Sequence, residues 1–111
     1  MFEITGITDT DIRITRGDTA FLSVDLYDDK GKYELKSGDK LELSAQRAIK
    51  DSDYSIHITA NDDAVFTFKH SDTANLEYGS YLYDIQLTLS NGDIFTVIPL
   101  SHIVILEEVT R

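Results

Sequence analysis

The stretch YLYDIQLTLSNGDIFTVI, residues 81–98, decides the fold class because its apolar residues recur at every second position. Side chains of a β-strand point alternately to opposite faces, so this period predicts a strand with one buried face. That face should hold Tyr81, Tyr83, Ile85, Leu87 and Leu89. Asn91-Gly92 follows, and this dipeptide is typical of type I′ hairpin turns, whose two central residues take positive φ. We therefore predict a hairpin that joins residues 81–89 to residues 94–98.

The same period recurs on the N-terminal side of this hairpin. TAFLSVDLYD, KLELSAQR and AVFTFK alternate in the same way, and turn-rich segments separate them. Their inward-facing residues should be Ala20, Leu22, Val24, Leu26, Leu41, Leu43, Ala45, Phe66 and Phe68. About seven strands without intervening long helices predict an all-β fold, an antiparallel, Ig-like β-sandwich in one domain over residues 1–111. A small barrel is the alternative architecture.

Two further sequence features indicate where strands end. HSDTANLEYG, residues 70–79, predicts one short helical turn, with Ser71 or Asp72 as its N-cap and Gly79 as its stop. Pro99 cannot donate to a ladder, so it should mark a break, a bulge or an edge, and a last strand should follow at residues 103–106.

Asp84 lies between the inward-facing residues of the 81–89 strand, so it should point to the outer face. There it could pair with a cation on a neighbouring strand, and Arg47 is the expected partner. An exposed pair of this kind contributes only about 0.2–1 kcal/mol.

Arg16-Gly17-Asp18 spells the tripeptide that integrins bind, which raises an adhesive alternative. An integrin ligand needs an exposed loop tip, whereas this tripeptide lies between two β-like runs, residues 11–15 and 19–27. We therefore interpret it as a corner between strands. Gly17 should supply a positive φ, and Asp18 should accept hydrogen bonds from the amides that follow it.

The composition disfavours several functions. Twenty acidic residues against ten basic ones give a net charge of -10, which repels nucleic acid and anionic lipid. No cysteine is present, so disulfides and cysteine metal sites are excluded. No segment approaches the about 20 apolar residues that span a bilayer, and the first residues lack the pattern of a signal peptide. We expect no nucleic-acid binding, no membrane insertion and no signal peptide.

No catalytic pattern stands out. His57, His70 and His102 are far apart in sequence, and no G-x-S-x-G motif accompanies them. We expect no enzyme activity, no catalytic residues and no cofactor. Acidic pairs could hold a calcium ion, but their spacing is not that of an EF-hand, and aspartate is common in turns. These candidates are Asp9, Asp11, Asp28, Asp29, Asp51, Asp53, Asn61, Asp62 and Asp63, and we interpret them as turn residues rather than metal ligands.

Aromatic residues near loops leave one binding function open. Tyrosines in or near loops can act as platforms for sugars. Here they are Tyr27, Tyr33, Tyr54 and Tyr78. A carbohydrate-binding or adhesion β-sandwich module is therefore the alternative function.

The C-terminal part of the sequence also resembles a known family. SDTANLEYGSYLYDIQLTLSNGDIFTVIPLSHIVILEEVT, residues 71–110, presents a recurrent order of short motifs. They are Asp72-Thr73, Leu76, Gly79, a core signature of Tyr81, Tyr83 and Ile85, then Gly92, and a terminal EVT at Glu108–Thr110. The opening ITRGDTAFLSVDL fits the same pattern, in which Gly-Asp precedes a strand of alternating apolar residues. Together they resemble small β-sandwich proteins of phages and prophages of Gram-positive bacteria, as in the N-terminal domain of phage baseplate upper proteins.

The resemblance implies a structural or assembly role in a phage tail or baseplate, without catalysis. It also implies that the partners are further copies of the chain, other tail proteins, or both. The expected location is the virion, or the host bacterial cytoplasm during assembly. PLSH, residues 99–102, departs from the family, whose members often carry a glycine before the last strand.

Overall fold

The computed structural model describes residues 3–4, 11–48 and 53–108, and almost all of their regular structure is β-strand. The described strands are β1 (Glu3–Ile4), β2 (Ile12–Thr15), β3 (Ala20–Ser23), β4 (Leu26–Asp28), β5 (Gly31–Tyr33), β6 (Lys40–Gln46), β7 (Ile56–Thr59), β8 (Val65–Phe68), β9 (Gly79–Thr88) and β10 (Ile94–Leu106). A four-residue helix, α1 (His70–Thr73), lies between β8 and β9. The predicted all-β class is confirmed, with ten described strands instead of about seven.

The strands form two layers around one core. β2, β10, β9, β6 and β7 lie in this order in a five-stranded sheet. The other strands form a sheet of order β1, β4, β5 and a β3–β8 pair, and buried side chains of β4 and β8 join the same hydrophobic cluster. The described pairs are antiparallel except β2 with β10, which run parallel and are separated by the long connection that a parallel pair requires. The architecture is sandwich-like, and the finer Ig-like description stays a prediction.

Strands β6 and β9 form the centre of the core. Leu41, Leu43 and Ala45 of β6 are 0% exposed, and Tyr81, Tyr83, Ile85 and Leu87 of β9 are buried beside them. The facing layer contributes Val24, Leu26, Phe66 and Phe68. The hydroxyl of Tyr81 donates to the Glu77 carbonyl over 2.9 Å, so this buried tyrosine keeps a polar partner. The core face that the alternation predicted is therefore confirmed.

The predicted strand over residues 19–27 is divided in two. β3 pairs with β8 as far as Ser23, and β4 pairs with β5 from Leu26 onward. Between them the amide of Val24 donates to the Ala64 carbonyl over 3.0 Å. The chain changes partners at this point, so one continuous apolar alternation serves two separate strands. Alternation reports which face is buried and carries no information about the partner.

The two strands predicted on either side of Pro99 are one strand, β10. Its register with β9 shifts between Thr96 and Ile98 and again between Ile98 and Ser101. Val97 and Ile98 are consecutive and both buried, which is what a bulge produces. Pro99 thus marks the expected irregularity, but the strand continues beyond it to Leu106.

The hairpin between β9 and β10 is confirmed, but its turn is not type I′. The amide of Gly92 donates to the Leu89 carbonyl over 2.9 Å, and the amide of Leu89 donates to the Asp93 carbonyl over 2.8 Å. Gly92 has a φ of +95°, whereas Asn91 is not among the described residues with positive φ. This is a three-residue loop, a type I turn followed by a left-handed glycine. The side chain of Asn91 instead accepts the amide of Asp93 over 2.9 Å.

The single helical turn that the sequence predicts is confirmed, but its N-cap is a different residue. Its N-cap is Lys69, whose amide donates to the carboxylate of Asp72 over 2.7 Å, so neither Ser71 nor Asp72 is the cap. Asp72 still stabilises the helix start, but from inside the first turn. The helix ends at Thr73, and Gly79 lies beyond it as the first residue of β9 rather than as its stop.

Candidate functional site

The Arg16-Gly17-Asp18 tripeptide forms a tight corner between β2 and β3. The amide of Asp18 donates to the Thr15 carbonyl over 3.0 Å, and Gly17 has a φ of +82°. A positive φ at the third residue of a turn is the geometry that glycine favours. The predicted positive φ at Gly17 is therefore confirmed. Among the described residues no amide donates to the Asp18 carboxylate, so that part of the prediction is wrong.

The guanidinium of Arg16 is occupied inside the molecule. Its Nη2 and Nε lie 2.7 and 3.2 Å from the two carboxylate oxygens of Glu108, and its Cζ lies 4.2 Å from the ring centre of Tyr78. The side chains of Arg16 and Glu108 are only 26% and 18% exposed. The hydrogen bond from Arg16 lowers the pKa of Glu108 and raises that of the arginine. An arginine held in this way is not offered to a receptor, which argues against the integrin alternative.

The backbone of Gly17 is fixed to α1 from both sides. Its amide donates to the hydroxyl of Thr73 over 2.7 Å, and Nδ1 of His70 lies 2.7 Å from its carbonyl oxygen. A Cβ added to Gly17 would lie 3.1 Å from that same Nδ1. The corner therefore joins β2, α1 and the end of β10 into one rigid unit, and its role is structural.

A groove on the outer face of the five-stranded sheet is the strongest candidate binding site. We call it the outer-face groove, and its volume is about 360 Å³. Its lining includes Ser44, Gln46, Tyr54, Asp84, Gln86 and Leu100. Because the period of two buries the odd-numbered residues of β9, it turns Asp84 and Gln86 outward onto the groove floor. Tyr54 and Leu100, which are 59% and 56% exposed, supply apolar side chains at the groove.

Asp84 has no ionic partner among the described residues. It lies directly opposite Ser44 in the β6–β9 register, and partial burial raises the pKa of its carboxyl. The predicted pair with Arg47 is not formed. The guanidinium of Arg47 instead lies 4.8 Å from the ring centre of Tyr81 and donates to the Ser80 carbonyl over 3.3 Å.

Gly79 explains why Arg47 takes that position. A Cβ at Gly79 would lie 3.1 Å from both terminal nitrogens of the guanidinium, so the missing side chain leaves room for it. The φ of Gly79 is +120°. Its observed role is to admit Arg47 beside β9 and to begin that strand, which the sequence did not reveal.

Sequence reasoning also missed a polar relay beside the groove. The Oγ of Ser44 lies 2.9 Å from Nδ1 of His57, and Nε2 of His57 lies 3.0 Å from Oε2 of Glu42. The ring of Tyr54 stacks on His57 at 5.4 Å between ring centres. Only the strand register brings these residues together, because Ser44 faces His57 across β6 and β7. The spacing along the chain contains no signal for it.

The relay has the residue types of a hydrolase triad but not its surroundings. Nucleophilic catalysis on an acyl group needs free donors for the developing oxyanion. β6 is paired with β7 on one side and β9 on the other, so the amides around Ser44 donate hydrogen bonds to these neighbouring strands. The relay is therefore better suited to fixing His57 and, through stacking, the ring of Tyr54 at the groove.

A second polar cluster surrounds Asp39. The hydroxyl of Tyr33 donates to its carboxylate, as do the amides of Lys36 at 3.0 Å and Ser90 at 3.2 Å. Burial alone would raise the pKa of Asp39, but these donors together lower it. Burial and the bond to Asp39 raise the pKa of Tyr33 to about 12. The cluster ties the segment before β6 to the β9–β10 hairpin.

The candidate calcium ligands and the loop tyrosines lie in different parts of the structure. Among the described residues no three acidic or histidine side chains are close enough to hold a metal, and Asp9 and Asp51 lie outside that part of the chain. Asp28 accepts the amide of Lys30 over 2.8 Å, which is a turn role. Of the four loop tyrosines, Tyr54 alone is strongly exposed, whereas Tyr27, Tyr33 and Tyr78 are half-buried.

Comparison with known proteins adds no assignment. No protein-family model and no curated protein matches this sequence. Within the described residues no helix is long and apolar enough to cross a bilayer.

Proposed function

We propose that this chain is a non-catalytic structural or assembly module of the phage tail or baseplate type, which acts through protein–protein contacts. The resemblance of its motif order to phage and prophage β-sandwich proteins supports the phage assignment. The proposal implies partners that are copies of the chain, other tail proteins, or both. It also implies a location in the virion or, during assembly, in the host cytoplasm.

The observation that carries the protein–protein part is the first half of β10. β2 pairs with β10 over Ile103–Leu106, at the C-terminal end of that strand. Ile94 and Leu100, which precede this pairing, are 61% and 56% exposed. Large apolar side chains exposed on one strand form a surface that a neighbouring subunit can cover.

Pro99 limits the kind of contact that the first half of β10 can make. It has no amide hydrogen to donate, and the register of β10 is irregular around it. A long added strand is therefore disfavoured here. The expected contact is made by side chains, with Ile94 and Leu100 as its apolar anchors.

The experiment is sedimentation velocity over a range of concentrations, together with pull-downs on phage tail proteins. Ile94→Asp should weaken self-association or partner capture, because it places a charge on the covered surface. Phe21→Asp is the matched control, since Phe21 is 71% exposed and lies on β3 in the other layer. Only monomers and no captured tail protein would contradict the proposal.

Carbohydrate binding or adhesion is the second candidate function. The observation that favours it is the exposed ring of Tyr54 beside the amides of Gln46 and Gln86 in the outer-face groove. Aromatic rings and amide groups are the usual partners of sugar faces and hydroxyls. A glycan array of bacterial wall sugars tests it, and a blank array would dismiss it.

A further inference from the structure

We propose that the outer-face groove binds the guanidinium group of an arginine side chain on a partner protein, with Asp84 as its counter-ion and Tyr54 as its stacking surface. The inference rests on the proposed function in one respect, namely that the chain acts through protein partners. It goes further in naming a second contact site and the chemistry of the group that occupies it.

The carboxylate of Asp84 is partly buried and has no counter-charge among the described residues. It stands in the middle of β9, at the centre of the sheet, where neighbouring side chains remove part of its water. No described residue supplies a positive charge or a donated hydrogen bond to it. A partly dehydrated carboxylate without a counter-charge is unfavourable, so an incoming cation gains more here than at an ordinary surface carboxylate.

Two described arginines are held by other contacts. Arg47 is held against Tyr81 and the Ser80 carbonyl, and Arg16 is paired with Glu108. Among the described residues none forms an ion pair with Asp84, and the overall charge of -10 favours a basic partner.

The residues around Asp84 favour a guanidinium over an ammonium ion. A guanidinium is planar, donates two parallel hydrogen bonds to a carboxylate, and stacks on aromatic rings. The ring of Tyr54 is available for stacking and is itself fixed by its contact with His57. Leu100 can contact the aliphatic part of the side chain, as apolar groups beside arginine commonly do.

The same features favour a cation over a neutral sugar. A sugar can stack on Tyr54 and bond to the amides, but it leaves the charge of Asp84 uncompensated. The groove volume of about 360 Å³ is at the low end of the about 300–1,000 Å³ usual for ligand pockets. It therefore suits one inserted side chain better than an extended chain of sugar rings.

The test is an NMR titration of the full chain with the acetylated tripeptide Gly-Arg-Gly-amide. Amide signals of β6 and β9 around Ser44 and Asp84 should shift on binding. The same peptide with citrulline in place of arginine has the same shape without the charge, and it should bind at least about tenfold more weakly. A lysine peptide should be intermediate.

Variants of the chain test the contacts of Asp84 and of Tyr54 with the peptide separately. Asp84→Asn and Tyr54→Ala should each lower the affinity for the arginine peptide, the former by at least about tenfold. Asp25→Asn is the control, because it removes the same charge from an exposed position in the other layer. Asp84→Asn should also raise the melting temperature without peptide, since the neutral amide is easier to bury. If Asp84 instead stabilises the fold, Asp84→Asn should lower the melting temperature.

Several results would overturn the inference. They are equal binding of the citrulline peptide, undiminished binding by Asp84→Asn, or binding of chitotriose in the groove while the arginine peptide does not bind. If the arginine peptide does not bind while Ile94→Asp still impairs assembly, the groove assignment is wrong and the assembly proposal is unaffected. If the peptide binds as expected but no protein partner is found, the groove chemistry stands and the assembly role falls.

Discussion

Gly17→Ala is the substitution that tests most directly how the corner between β2 and β3 works. Gly17 has a φ of +82°, a conformation that residues with a Cβ adopt at a cost of about 1–2 kcal/mol. The added Cβ would also lie 3.1 Å from Nδ1 and 3.2 Å from Cε1 of His70. Both effects act on the same residue, so the variant should be clearly less stable than the wild type.

The magnitude follows from adding the two effects. If His70 moves away to make room, its 2.7 Å hydrogen bond to the Gly17 carbonyl is weakened or lost. A hydrogen bond of this kind contributes about 0.5–1.5 kcal/mol. The expected loss in the free energy of unfolding is therefore about 1.5–3.5 kcal/mol, which corresponds to a fall in melting temperature of roughly 6 °C or more.

The assay is urea unfolding followed by circular dichroism, with the midpoint and the slope fitted separately. Gly92→Ala is the matched control, because Gly92 also has a positive φ, +95°, but a Cβ there would meet nothing within 4 Å. It reports the backbone cost alone, so Gly17→Ala should exceed it by the contribution of His70. In a His70→Ala background this excess should disappear.

Three outcomes would refute parts of the reasoning. An unchanged midpoint for Gly17→Ala would show that positive φ is not a cost at this corner. Equal losses for Gly17→Ala and Gly92→Ala would remove the contribution of His70. A changed slope would mean that the substitution alters the unfolded ensemble, so that the midpoints could not be compared.

Three further predictions concern the core, the corner and the Asp39 cluster. Leu43→Ala, at a fully buried position, should cost about 2–5 kcal/mol in urea unfolding. Thr73→Val keeps the shape but leaves the Gly17 amide without its acceptor, so it should cost about 1–3 kcal/mol by the same measurement. The pKa of Tyr33 is near 12 in the folded state and about 10 when unfolded, so its contribution to stability is complete below pH 10 and is lost as the pH rises toward 12. Tyr33→Phe should therefore flatten the fall of the melting temperature across that alkaline range, and an unchanged slope would contradict it.

The sequence was sufficient for the fold class and most of the core. Alternating apolar residues such as Leu41, Leu43 and Ile85 have to face the interior once the strand is formed, whichever strand lies beside it. The period cannot tell where a strand changes its partner. It therefore missed the division at Val24 and the continuity of β10 past Pro99.

Local turn chemistry was predictable to a similar extent. Gly17, Gly79 and Gly92 all take a positive φ, because few other residues do so without strain. The details depended on neighbours that the sequence does not show. The left-handed position of the β9–β10 loop fell on Gly92 alone, and Gly79 made room for Arg47 instead of ending a helix.

By itself, the sequence determined that this protein is built of strands, which side chains those strands bury, and that Arg16-Gly17-Asp18 is a corner. These features depend on the chemistry of each residue and its near neighbours. Only the tertiary structure decided that Arg16 pairs with Glu108, that Ser44 meets His57, and that no described cation pairs with Asp84. Those relations join residues on neighbouring strands and residues near the two ends of the chain. Strand order and register set them, and no spacing along the sequence encodes either.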